Sequence, residues 1–187
     1  LSLHDALPIY HTFSHNSEGA GVNVEVGGGV TIMGYAGITN YNTHMNSIDI
    51  FHAVSIAQVQ ANMVGKTCPT VTAITHSAPV VSAGADYTVP LSTPFVLTGS
   101  ATDAGGTSLM TYTWEQNDNV GSSTGANSPA SPTKAEGPNF ACYTDASIPV
   151  RYFPVFSSTL NGSTTTAGAS VTAEALSSVA RALNFRL

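Results

Sequence analysis

At 187 residues the chain has room for one or two domains, and its 42% hydrophobic content is enough to build a core. Charged residues make up only 9%, with 5 Lys+Arg against 11 Asp+Glu and a net charge of −6, which argues against a basic nucleic-acid groove. No run of about 18 apolar residues occurs, so no membrane span is expected.

The 17 Gly and 10 Pro, set among many Ser and Thr, suit short strands joined by turns, in an extracellular and mostly β chain. Leu1 to Tyr10 has no basic start, contains Asp5 and lacks a long apolar centre. It does not read as a signal peptide, so an export signal is expected outside this chain. Residues 11–47 are rich in Gly and Asn, with a run at Gly27, Gly28 and Gly29, and read as turns and irregular structure. Over residues 48–64, Ile50, Val54, Ala57, Ala61 and Val64 recur at three- and four-residue intervals. That spacing predicts an amphipathic helix, capped by Ser47 or Asp49 and stopped by Gly65. Residues 66–79 form a Thr- and Pro-containing connector.

Beyond the connector the period falls to two. Val80–Val89, Phe95–Ala101, Met110–Glu115, Val150–Phe156 and Leu183–Leu187 read as about five strands. Trp114 on the third stands where an immunoglobulin-like sandwich buries one. Residues 116–139 read as a loop too polar to pack, and residues 173–183 allow either a short helix or a lead into the last strand. Such a sandwich closes with about seven strands, so ending in mid-strand at Leu187 implies a truncated module.

Six histidines occur, but only His11 and His15 stand four apart, and Thr12, Phe13 and Ser14 between them are poor helix formers. Spacing alone therefore gives no metal site. Cys68 and Cys142 permit one disulfide at most or remain two unpaired thiols, and their separation fits no metal or redox motif.

Three segments carry a resemblance: His11-Thr12-Phe13-Ser14, then Thr31 to Ile38 (TIMGYAGI), then Phe51 to Ile56 (FHAVSI). Together they resemble the C-terminal part of the catalytic domain of a reprolysin-like zinc metallopeptidase of the metzincin clan. That family carries His-Glu-x-x-His-x-x-Gly-x-x-His followed downstream by a Met-turn, and its Glu polarises a zinc-bound water for attack on a peptide carbonyl. The resemblance implies that His11 is the third zinc ligand and Met33 the apolar floor beneath the metal. Tyr35 would stabilise the oxyanion, and Gly37 and Ile38 would line the pocket for the substrate residue after the scissile bond. In the register set by His11, however, Leu1, Ser2, Asp5 and Pro8 occupy the positions of His, Glu, His and Gly. Residues 1–10 therefore read as a non-native leader, and the chain itself is expected to be inactive and to bind zinc weakly.

Residues 79–116 (PVVSAGADYTVPLSTPFVLTGSATDAGGTSLMTYTWEQ) resemble the start of a PKD-type immunoglobulin-like module. The loop at Asp103 carries one carboxylate, too few for calcium. The expected fold is thus mixed and mostly β: a truncated metzincin C-terminal subdomain over residues 11–65, of irregular segments plus one helix, a linker over 66–79, and an incomplete sandwich over 80–187. The expected function is that of a fragment of a secreted or cell-surface zinc endopeptidase of bacterial type, with protein or peptide substrates. The alternative is a non-catalytic adhesion or binding protein whose module takes protein or glycan.

Overall fold

The computed structural model describes residues 22–67, 70, 72–73 and 77–187. Short antiparallel strand pairs and one main helix make the architecture mixed and mostly β. The helix is α1 (Ala53–Met63), and the strands are β1 (Val80–Ser82), β2 (Phe95–Thr98), β3 (Ser100–Thr102), β4 (Glu115–Gln116), β5 (Val150–Phe153), β6 (Thr165–Ala167), β7 (Thr172–Ala175) and β8 (Phe185–Arg186). A one-turn helix, α2 (Phe156–Leu160), follows β5.

The strands form four two-stranded sheets, β1–β3, β2–β5, β4–β8 and β6–β7. Alternation locates β2, where Phe95 and Leu97 turn inward and Val96 and Thr98 face solvent. The register sets Phe95 opposite Phe153 and Leu97 opposite Arg151. Gly99 then lets the chain change partner, from β5 to β1. A Cβ there would meet the Ser82 carbonyl oxygen at 2.7 Å and the Trp114 ring at 3.2 Å. The strands are shorter than the alternation suggests: Val80–Ser82 within Val80–Val89, and Glu115–Gln116 at the end of Met110–Glu115, where Tyr112 makes only an isolated bridge to Ala146.

The main core is aromatic. Trp114, Phe140, Phe153 and Leu176 are buried together, with Phe95, Leu97, Leu183, Phe185 and Leu187 packed against them. Phe95 stacks on Phe153 at 4.9 Å between centroids, and Phe140 meets Phe153 edge-on at 5.2 Å. Trp114 is buried as expected, and its indole N–H donates to the Pro149 carbonyl at 3.2 Å, so burial leaves no unpaired donor.

Three expectations are corrected and one open reading is decided. The helix begins at Ala53 rather than residue 48, because His52, not Ser47 or Asp49, caps it by accepting the Val54 N–H at 3.2 Å. Its expected apolar stripe is not its buried side: Ala57, Ala61 and Val64 are exposed, and the fully buried residue is Ser55. Residues 116–139 do pack, through hydrogen bonds rather than apolar contact. The buried Asn139 amide donates to Ser131 and Ala175 carbonyls, while Gln116 Oε1 accepts the Asn139 and Phe140 N–H groups. Finally, the ambiguous stretch from residue 173 begins as strand β7 and holds no helix.

Residues on both sides of the connector share one interior. Val26 packs with Ala130 and Ala175 in a second buried cluster. Backbone hydrogen bonds run from Gly27 N–H to Ser128, from Ala169 N–H to Thr43 and from Ser170 N–H to Asn42.

Candidate functional site

The residues singled out by the Met-turn resemblance lie on one loop. Glu25 anchors it: its buried carboxylate accepts the Val30 and Thr31 N–H groups at 2.9 Å each and the Thr31 hydroxyl at 2.8 Å. Thr31 to Gly34 then closes a turn in which the Gly34 N–H donates to the Thr31 carbonyl at 2.8 Å, and half-buried Met33 rides on that turn. A Cβ on Gly34 would meet the Val30 amide nitrogen at 2.9 Å, so the turn crosses its own backbone where only glycine fits. Half-buried Tyr35 is fixed by its N–H, which donates to the Gly28 carbonyl at 2.7 Å. Gly37 has φ +80° and lies against the Met45 carbonyl, where any side chain would collide. Ile38 beyond it is 76% exposed.

Met33, Tyr35, Gly37 and Ile38 are thus brought onto one held loop, while His11 lies outside the described residues. Glu25 was missed in the sequence. Its only signal there is a lone carboxylate ahead of a glycine run and a Val-Thr pair.

The zinc of the resembled family does not fit the residues of this chain. Leu1, Ser2 and Pro8 offer no imidazole, and no Glu stands at the position of the base. A different group of ligand-type side chains does come together. Among the described residues, His52, Glu115 and Cys142 place ligand atoms within 4.8 Å of one another, and all three are buried. The Met33 turn sets the position of the first. The Ile48 N–H donates to the Val30 carbonyl and the Ile32 N–H to the Ile50 carbonyl, which delivers His52 to the start of α1.

The tautomer of His52 follows from its partners. Nδ1 accepts the Val54 N–H, so the ring proton sits on Nε2 and points at the Gln116 carbonyl 3.3 Å away. Glu115 Oε2 lies 3.7 Å from His52 Nδ1 and accepts the Ala53 N–H at 2.8 Å, a second cap on α1 supplied from β4. Burial pushes the Glu115 carboxyl above its ordinary value, against the pull of His52 and the Ala53 N–H. Burial likewise pushes the Cys142 thiol well up, with Glu115 and Glu25 adding to it, so alone it stays protonated. Cys142 forms no disulfide.

An open cleft lies nearby in the chain fold. Tyr112, Tyr143, Tyr152 and Phe156 line it, with the Arg151 guanidinium 5.0 Å over the Tyr143 ring. Arg151 is itself tied to Glu174 at 2.7 Å. No helix among the described residues is long and apolar enough to cross a membrane. Comparison with protein-family models, with curated proteins and with solved structures finds no match to this chain.

Proposed function

We propose that residues 11–65 are the C-terminal part of the catalytic domain of a secreted, reprolysin-like zinc endopeptidase, and that residues 80–187 are a PKD-type immunoglobulin-like module carried behind it. The observation that supports this most is the Glu25-anchored turn. A buried carboxylate commits three hydrogen bonds to one short turn bearing Met33. A loop of ordinary connecting length needs no such anchor, whereas an apolar floor under a metal centre has to be held in place.

In this reading His11 is the third zinc ligand, Met33 the floor, Tyr35 the oxyanion stabiliser, and Gly37 and Ile38 the wall for the substrate residue after the scissile bond. Zinc in the parent enzyme supplies the activated water. The present chain does not hydrolyse peptides, since Leu1, Ser2, Asp5 and Pro8 replace two ligands, the base and the helix-breaking glycine. The test is cleavage of a denatured protein with zinc added. The native gene product should cleave and stop on chelation, and the 187-residue chain should not. A native product that never cleaves would overturn the peptidase reading, and chelator-sensitive cleavage by this chain would overturn the claim of inactivity.

A second reading, a non-catalytic extracellular binding protein, draws on the aromatic cleft. Tyr152 and Phe156 are half exposed, and their flat apolar faces suit the stacking of a sugar ring or a peptide side chain. Retention on immobilised glycan or protein that Tyr152→Ala abolishes, with no cleavage by the native product, would favour it.

A further inference from the structure

We propose that His52, Glu115 and Cys142 form a binding site for one thiophilic divalent cation of the zinc class, structural in character. It uses none of the residues assigned to the catalytic zinc of the peptidase reading and does not depend on that reading. The donor set is nitrogen, oxygen and sulfur, the three atom types zinc takes, and the thiolate disfavours calcium and magnesium. The 3.7 Å between His52 Nδ1 and Glu115 Oε2 is close to the ~3.4 Å expected for two ligands on a tetrahedral zinc with bonds of ~2.0–2.1 Å.

The surroundings are those of a metal ligand. A ligating imidazole characteristically donates its other ring N–H to a carbonyl or carboxylate. His52 does so toward the Gln116 carbonyl, leaving Nδ1 as the donor atom on the Glu115 side. Glu115 is oriented in turn by the Ala53 N–H. Binding displaces only the 3.2 Å contact from the Val54 N–H, one of the free donors at a helix start that solvent or a carboxylate can serve.

Charge gives the reason for a dication. His52, Glu115 and Cys142 are all buried with their ligand atoms within 4.8 Å of one another, so a charge brought among them has to be balanced there. On binding, the Cys142 S–H bond breaks, its proton passes to solvent, and the sulfur bonds to the metal. Carboxylate, thiolate, neutral imidazole and a 2+ ion then sum to zero, so the buried cluster carries no net charge. Three protein ligands leave the fourth position of a tetrahedron to a small oxygen ligand.

The test uses the purified, reduced and chelator-treated chain, titrated with cobalt(II) and then challenged with zinc. One equivalent of cobalt should produce the ultraviolet thiolate-to-cobalt charge-transfer band, and zinc should remove it. Cys142→Ala should lose the band and bind zinc about 100-fold more weakly, while Cys68→Ser keeps both. Folding of each variant is checked by near-ultraviolet circular dichroism. A variant-independent readout is the melting temperature of the unaltered chain, which zinc should raise and magnesium should not. No band at one equivalent, a band that survives Cys142→Ala, or a band lost in Cys68→Ser would overturn the proposal, as would a melting temperature unmoved by zinc.

Discussion

Glu25 holds the turn that carries Met33. Truncating it in Glu25→Ala leaves the Val30 and Thr31 N–H groups and the Thr31 hydroxyl buried without their acceptor. The expected cost is about 3 kcal/mol or more, read by urea unfolding. Gly34→Ala should cost about 1–3 kcal/mol, because the new methyl meets Val30 backbone that cannot give way. Lys134 makes a pH prediction. Buried and hydrogen-bonded to the Ser128 and Pro138 carbonyls, it is pulled by desolvation, with Arg181 adding, from 10.5 down to about 7. Between about 7 and 10.5 the unfolded chain binds more protons at this residue than the folded one, so its contribution makes stability rise with pH. The limiting slope is about 1.4 kcal/mol per pH unit. Above about 9 the buried Cys142 thiol works the other way, and His44, lowered by burial, titrates below its ordinary 6.5. The clean window is therefore pH 7–9, and Lys134→Met should flatten the rise there when stability is measured against pH.

At the scale of elements, apolar alternation was a good guide at β2, the helical apolar period was not a guide to the buried side of α1, and polar burial was invisible. Alternation at Phe95–Thr98 and the lone Trp114 marked parts of the core correctly, since both bury through apolar surface. The stretch 116–139 was misread because its interior is held by amides. Gln116 and Asn139 look like surface residues in a sequence and are buried here by meeting backbone groups. The helix differs for a related reason: its start is fixed by His52 as cap and by Glu115 from β4, rather than by Ser47 or Asp49, and Ala57, Ala61 and Val64 of its expected apolar stripe face solvent. The same distance in sequence hid the His52–Glu115–Cys142 cluster, whose members come from three separate segments. Because α1 buries little beyond Ser55, its amides should exchange much faster than those of β2 and β5, and His52→Ala should fray its first turn further. Protection in Ala57–Met63 equal to that of β5 would contradict this.

Over the whole molecule, the connector divides the sequence but not the interior. Val26 packs on Ala130 and Ala175, and Asn42, Thr43 and Gly27 bond across to residues 128, 169 and 170. Limited trypsin digestion should cut the chain in two after exposed Lys66, since Lys134, Arg151 and Arg181 are engaged in hydrogen bonds and a cut after exposed Arg186 would release Leu187 alone. The two fragments should then co-elute until denaturant is added, and fragments that separate in buffer would show the halves to be independent. The account as a whole stands on the peptidase reading of the first half, and its most direct test is the native gene before the codon for His11. The reading predicts His, Glu, His and Gly in the register now held by Leu1, Ser2, Asp5 and Pro8, and a gene product whose chelator-sensitive cleavage disappears when that Glu becomes Gln. A native reading frame without that motif, joined directly to the Met33 loop, would contradict it.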